Sequence, residues 1–155
     1  MKYNWITKLG EVNYNYKIMK KEFLNPKDWA EIMWAYSHWI EVDVWDSKLI
    51  FVTWQIAQDS SWNVISEDIE KQTEYVFEII NTILKEANSS LDDVVKVQIF
   101  LTDMNDFAKV SPIRNKYLAN SKPASTLVEV NKLVKEWCKI EIEVIAIKNK
   151  DWVEQ

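Results

Sequence analysis

The chain has 155 residues, a length that fits one domain, and 48% of them are hydrophobic against 28% charged. This balance is typical of a globular protein and excludes a disordered or collagen-like chain. A formal net charge of -5 argues against binding to a nucleic-acid backbone. The single cysteine, Cys138, permits no internal disulfide, and the sequence shows no signal peptide or membrane-spanning stretch. We therefore expect a cytoplasmic protein.

The first predicted elements follow an N-terminal extension over 1–18, which lacks clear periodicity. A short strand is predicted over 20–24 and a loop over 25–28, where asparagine and proline favour a turn. Two runs of strand-forming residues, 40–44 and 48–53, are close enough to form a hairpin.

A long amphipathic helix is predicted to begin at Ser66, which can cap it, and to end at Asn88, which tolerates a left-handed conformation. The apolar and β-branched run over 94–101 predicts a strand. Asp106 is expected to cap a second helix, with Pro112 close enough to the first turn to be tolerated.

Two more strands, over 126–130 and 140–147, complete the domain. The order of elements predicts an α+β fold in which the helices pack on one face of a sheet. The domain is expected to span 19–148 and to be followed by a short tail over 149–155. No phosphate-binding glycine loop and no metal-ligand spacing occur, so we expect no metal and no cofactor.

The glycine and tryptophan contents are unusual. The chain has one glycine, Gly10, and nine tryptophans, whereas average usage would give roughly 11 glycines in a chain of this length. Trp45, Trp62 and Trp137 occupy predicted turns, which favour residues that tolerate positive φ. Our hypothesis is that many of the tryptophans stand at glycine positions, for example because UGA codons that mean glycine in the source were translated as tryptophan. The alternative is nine genuine tryptophans in an aromatic-rich protein.

Several stretches, in a fixed order, resemble the Rid family, the YjgF-type proteins whose best-known members are the RidA imine deaminases. The run Phe-Val-Thr-Trp-Gln-Ile-Ala over 51–57 resembles the family's F-V-S-G-Q-I-P run. Further similar stretches are 91–97, 101–107, 123–130 and 140–146. The family usually has glycine at the positions of Trp34, Trp45 and Trp54, and often at those of Trp39, Trp62 and Trp137.

The resemblance implies a chorismate-mutase-like fold, a mixed β-sheet with two helices on one face, assembled as a homotrimer with ligand clefts at the subunit interfaces. It also implies hydrolytic deamination of reactive enamines or imines, such as 2-iminobutanoate and 2-iminopropanoate, to 2-keto acids and ammonia. The expected partners are thus a small imino acid and further copies of the chain, with no nucleic acid and no membrane.

The resemblance also assigns site residues. Glu141 matches the glutamate beside the reacting water, although the pattern alone fits an exposed polar strand face shared with Glu143 equally well. Tyr36, Thr53, Trp54, Asn105, Ser125 and Thr126 match positions that bind substrate. His38 and Cys138 are expected to have no catalytic role, His38 as a strand residue and Cys138 as a packing residue.

The main departure from the family is Ser125, which stands where the P-x-R-S-x-V motif has the arginine that binds the substrate carboxylate. Arg114 and Lys122 are nearby in sequence, but long basic side chains are usually solvated. Two alternatives to deamination therefore stay open. The first is a trimer that binds a small molecule without turnover. The second is the RNA cleavage sometimes attributed to the family, which the acidic charge and the single histidine make less favoured.

Overall fold

A computed structural model describes residues 20–24 and 35–149. The described chain folds into a six-stranded sheet and two α-helices. The strands are β1 (Lys21–Leu24), β2 (Trp39–Val44), β3 (Ser47–Ile56), β4 (Val94–Leu101), β5 (Ala124–Glu129) and β6 (Ile140–Asn149), and the helices are α1 (Ile69–Glu86) and α2 (Phe107–Tyr117). The extension predicted over 1–18 and the loop predicted over 25–28 lie outside the described residues.

The strand order across the sheet is β1-β2-β3-β6-β4-β5. All neighbouring strands pair antiparallel except β4 and β5. These two strands are parallel, and the chain between them forms α2, the kind of crossover that parallel pairing needs. The predicted α+β architecture, a mixed sheet with two helices, is confirmed. Neither described helix has the length and apolar character needed to cross a membrane.

The two faces of the sheet differ because residues alternate along each strand. On β6, Ile140, Ile142 and Val144 are buried beneath the helices, in contact with core residues such as Phe77 and Ile80 of α1. The opposite side of the sheet, here called the open face, carries the alternate residues Glu141, Glu143, Ile145 and Ile147 of β6 and Lys96, Gln98 and Phe100 of β4. The core thus lies between the helices and one face of the sheet.

The first helix begins three residues later than the sequence predicted. Its N-cap is Asp68, whose carboxylate accepts a hydrogen bond from the backbone N–H of Lys71 at 2.9 Å. Ser66 was the expected cap, and this prediction is wrong: its hydroxyl oxygen instead accepts from the N–H of Asp68, outside the helix. The predicted end is confirmed, because Asn88 adopts a φ of 53° just after the helix.

The second helix is fixed against the first by an aromatic pair. The ring of Tyr117 stacks on Phe77 with centroids 4.9 Å apart, and its hydroxyl donates to Glu78 Oε1 at 2.6 Å. Asp106 stands at the N-cap of α2 as predicted, but its side chain makes no capping hydrogen bond. Pro112 lies inside the helix rather than in its first turn, which corrects the expected placement.

Candidate functional site

A β-bulge interrupts the pairing of β3 with β6. Val52 pairs with Val144 and Gln55 pairs with Ile142, so two residues of β3, 53 and 54, face the single residue 143 of β6. Bulges re-aim side chains and are common beside active sites. The bulge is formed by Thr53 and Trp54, both of which the sequence predicted as substrate-binding residues.

The bulge holds the segment that precedes β2. The backbone N–H of Thr53 donates to the carbonyl of His38 at 3.0 Å, and its hydroxyl donates to the carbonyl of Ser37. This places the ring of Tyr36 against Trp54, with centroids 5.8 Å apart, and edge-on to His38 at 6.3 Å. His38 was expected in a strand but lies in a bend just before β2, so that expectation is wrong.

Two cavities meet at Trp54. The larger, about 460 Å³, lies between α1 and the end of β3, and Tyr36 and Tyr75 are among its walls. The smaller, about 270 Å³, lies on the open face and is lined by Thr53 and Lys96 among others. Trp54 lines both cavities, and we interpret its indole as the group that separates them.

Glu141 lies on the open face in the middle of the sheet. Its strand neighbours are Ile56 of β3 and Phe100 of β4, and the residue is partly buried. Loss of solvent around the carboxyl raises its pKa, and the negative charge of Glu143 raises it further. A carboxyl group that holds its proton closer to neutral pH can act as both acid and base.

The other predicted residues lie at the opposite edge of the sheet. Ser125 and Thr126 are exposed on β5, Ser125 beside Val97 on the helix side and Thr126 beside Gln98 on the open face. Asn105 is exposed in a 3-10 turn, Met104–Asp106, that leads from β4 into α2. These three residues form the edge half of the candidate site.

The structure does not bring the two halves together within one chain. The bulge half, formed by Tyr36, Thr53 and Trp54, belongs to β3 and the segment before β2, whereas the edge half belongs to β5 and the end of β4. β6 and β4 lie between β3 and β5, and with about 4.8 Å between neighbouring strands the halves are separated by roughly 14 Å. Glu141, on β6, lies between them.

Sequence reasoning missed Lys96. Its ammonium group donates to the hydroxyl of Thr126 at 2.8 Å and lines the smaller cavity. A charged residue at the centre of a predicted apolar strand was the signal that could have identified it. Of the two cations considered from the sequence, Arg114 hydrogen-bonds to Ser111 within α2, and Lys122 lies in the turn after α2 with a φ of 44°.

The candidate metal ligands and the cysteine of the described residues are placed as follows. Within 20–24 and 35–149, no three histidine, cysteine, aspartate or glutamate side chains are grouped so that they could hold a metal ion. Cys138 is a buried free thiol, and burial raises its pKa, which disfavours the reactive thiolate. This agrees with the packing role expected for Cys138.

Comparison with protein families identifies the chain. The family model described as Endoribonuclease L-PSP matches residues 26–148. The chain belongs to this family, the Rid or YjgF-type proteins. A RutC family protein of Pyrococcus abyssi is 41% identical over 131 residues, which cover 84% of this chain and 99% of that protein. A RutC family protein of Pyrococcus horikoshii is 45% identical over 102 residues, or 65% of this chain and 80% of that one.

Solved structures of Rid proteins have the same fold. A putative endoribonuclease from Thermotoga maritima matches with a TM-score of 0.72 and 33% identity, covering 83% of this chain and 98% of that one. RidA from an Antarctic Psychrobacter matches with a TM-score of 0.68 and 30% identity, covering 81% and 98% of the two chains. These matches confirm the family and the fold that the sequence predicted.

Proposed function

We propose that this Rid protein hydrolyses reactive imines and enamines of the 2-iminobutanoate type to 2-keto acids and ammonia. The proposal rests on Glu141, whose carboxyl group is partly buried, has a raised pKa and lies on the open face of a Rid-family sheet. Burial and the neighbouring charge of Glu143 raise the pKa of this carboxyl above its ordinary value, and perturbed carboxyl groups are typical of functional sites.

The reaction needs little beyond a positioned water and one acid/base group. Water adds to the carbon of the C=N bond while the nitrogen takes up a proton, which gives a tetrahedral aminoalcohol. The C–N bond then breaks, ammonia leaves with the proton, and the carbonyl forms. A carboxyl group that shuttles one proton between water and nitrogen supports both steps, and Glu141 is the residue to which we assign this role.

The substrate carboxylate needs a cationic or hydrogen-bonding partner. Ser125 provides a neutral hydroxyl, and a neutral donor gives about half the strength of a charge-assisted hydrogen bond. Lys96 supplies a charge at the same edge of the sheet, since its ammonium group hydrogen-bonds to Thr126. We assign carboxylate binding to Lys96 together with the hydroxyl group of Thr126, because both lie on the open face, whereas the Ser125 hydroxyl lies on the helix side of β5.

The complete site is proposed to form between copies of the chain in a homotrimer. The open face carries partly exposed apolar side chains, including Phe51 and Ile147, which a monomer would leave in water. The separation of the bulge half from the edge half within one chain supports the same arrangement, because a second copy can bring its own edge half to the first copy's bulge. The cytoplasm is the proposed location.

The test is turnover of 2-iminobutanoate generated enzymatically in the assay. We expect Glu141→Gln to lower kcat by about 10²- to 10⁴-fold, since the proton shuttle is lost. Glu86→Gln is the matched control: it makes the same change at an exposed position on α1, away from the open face, and should keep most of the activity. Wild-type turnover by the Glu141→Gln chain would contradict the proposal.

A second candidate function, binding of a small molecule without turnover, is favoured by Ser125 alone. The chain lacks the arginine of its family motif there, and the serine is exposed. Ser125→Arg distinguishes the two functions. A large gain in deamination supports a deaminase cleft that has lost affinity for carboxylates, whereas a Ser125→Arg chain that stays inactive favours a binding protein with another ligand.

A further inference from the structure

Three turns of the fold hold a tryptophan in the left-handed region of backbone space. The φ angles are 45° at Trp45, 66° at Trp62 and 70° at Trp137. The Cβ atom of an L-residue crowds the backbone there, so a bulky side chain at positive φ is an outlier, whereas glycine adopts it freely. In the described part of the chain, the other non-glycine residues with positive φ are Asn88, which tolerates this region well, and Lys122.

The hairpin between β2 and β3 requires this conformation at Trp45. Val44 pairs with Ser47, so the turn has two central residues, Trp45 and Asp46. Positive φ at the first central residue and not at the second is the pattern of a type II′ turn. That first position is a glycine position, because the turn must match the twist of the flanking strands.

The turn before β6 is held equally firmly around Trp137. The carbonyl of Trp137 accepts a hydrogen bond from Gln72 Nε2 at 2.8 Å, and the N–H of Lys139 donates to Gln72 Oε1 at 2.7 Å. Gln72 is fully buried on α1, so both bonds tie the turn to a fixed side chain of the core. Moving the backbone out of positive φ would disturb these two partly buried hydrogen bonds.

The third turn is closed around Asp59. The N–H of Trp62 donates to the Asp59 carbonyl at 3.0 Å, the N–H of Asn63 donates to the Asp59 carboxylate at 2.9 Å, and the N–H of Asp59 donates back to the Asn63 carbonyl. Trp62 is enclosed within this ring of bonds, which sets its φ.

Two of the three indole side chains are largely exposed. Trp45 is 85% exposed and Trp137 is 61% exposed, so these two contribute little burial of apolar surface to offset an unfavourable backbone. The fold uses the backbone at these positions and leaves the side chains largely in solvent, which is the behaviour of glycine sites.

We propose that residues 45, 62 and 137 are glycine in the protein as its source makes it, because the codon behind these tryptophans is read there as glycine. The same proposal applies to Trp54 if its codon is also UGA. Trp54 lies in the β3 bulge, where strand glycines are frequent, and its indole lines both cavities. With glycine at 54 that indole is removed, and the larger and smaller cavities become one groove beside Tyr36.

The direct test is a peptide map, by mass spectrometry, of the protein purified from its source, read together with the codons of its gene. We expect glycine at 45, 62 and 137, and UGA at each of the three codons. Tryptophan in the peptides, or UGG at the three codons, would overturn the proposal. This test is independent of any enzymatic activity.

A second test uses the recombinant chain. Trp45→Gly, Trp62→Gly and Trp137→Gly are each compared with the alanine variant at the same site, by the midpoint of urea unfolding. Alanine removes the indole but keeps Cβ, so it isolates the backbone contribution. We expect each glycine variant to have a higher midpoint than both its alanine counterpart and the parent chain. Glycine midpoints at or below those of alanine would contradict glycine sites.

Discussion

The two faces of β6 differ in the side chains they carry: one is packed into the core, and the other carries the candidate site residue Glu141. Ile140 and Ile142 are fully buried under the helices, whereas the residues that alternate with them, Glu141 and Glu143, lie on the open face. The buried face needs shape and apolar area, and any set of packed aliphatic side chains meets that need. The open face keeps two carboxylates at alternate positions, and the charge of Glu143 raises the pKa of Glu141, an electrostatic cost that the buried face does not carry.

The largest expected effect comes from the covered face. Ile142→Ala removes a fully buried side chain between β3 and β4, and we expect it to lower the free energy of unfolding by about 2–5 kcal/mol. The measurement is urea unfolding followed by circular dichroism. A loss below about 1 kcal/mol would mean that the covered face is not the core of the fold.

Ile147→Ala is the corresponding change on the open face. Ile147 is 41% exposed in one chain, so in a monomer its loss should change the free energy of unfolding by less than about 0.5 kcal/mol. In a trimer that covers the open face, the same variant should weaken association, and its unfolding midpoint should depend on protein concentration more strongly than that of wild type. Sedimentation velocity over a range of concentrations measures this directly.

Lys96→Gln tests the cation on the open face. A hydrogen bond to a charged group contributes about 1.5–3 kcal/mol, so we expect KM for 2-iminobutanoate to rise about 10- to 100-fold with a smaller change in kcat. Lys85→Gln, an exposed change on α1, is the matched control and should leave both constants unaltered. An unchanged KM in the Lys96→Gln chain would remove Lys96 from the site.

The pH dependence of stability offers a smaller effect with a definite sign. Because the folded state raises the pKa of Glu141 above 4.5, folded chains bind more protons than unfolded ones just above that pH. Stability from this group therefore falls as pH rises from the unfolded pKa through the folded pKa. We expect Glu141→Gln to gain stability over wild type as pH is raised from below 4.5 to neutrality, measured by urea unfolding. A difference that is flat or declines with pH would contradict the raised pKa.

Much of the fold could be predicted because local patterns determine it. The strand over 94–101 has the predicted bounds, and the turns at Trp45, Trp62 and Trp137 are confirmed by their positive φ angles. The start of α1 was predicted wrongly because Ser66 and Asp68 are both good caps, and the choice between them depends on tertiary packing of the first turn.

The site was harder to predict than the fold. Residue types and motif positions suggested Glu141, Tyr36 and Ser125, but strand order decides which of these share a neighbourhood, and strand order is not a local property. Lys96 was missed for the same reason, because its hydrogen-bond partner Thr126 is 30 residues away in sequence. The roles assigned to the candidate residues stay predictions.

The bulge half of one chain is proposed to work with the edge half of another. Tyr36→Ala and Asn105→Ala each disable one half and should each lose most of the deaminase activity. When the two inactive chains are unfolded together and refolded as a mixture, some interfaces receive both intact halves. We therefore expect activity to return in the mixture, whereas each variant refolded alone stays inactive. A mixture that associates but remains inactive would contradict a site shared between copies.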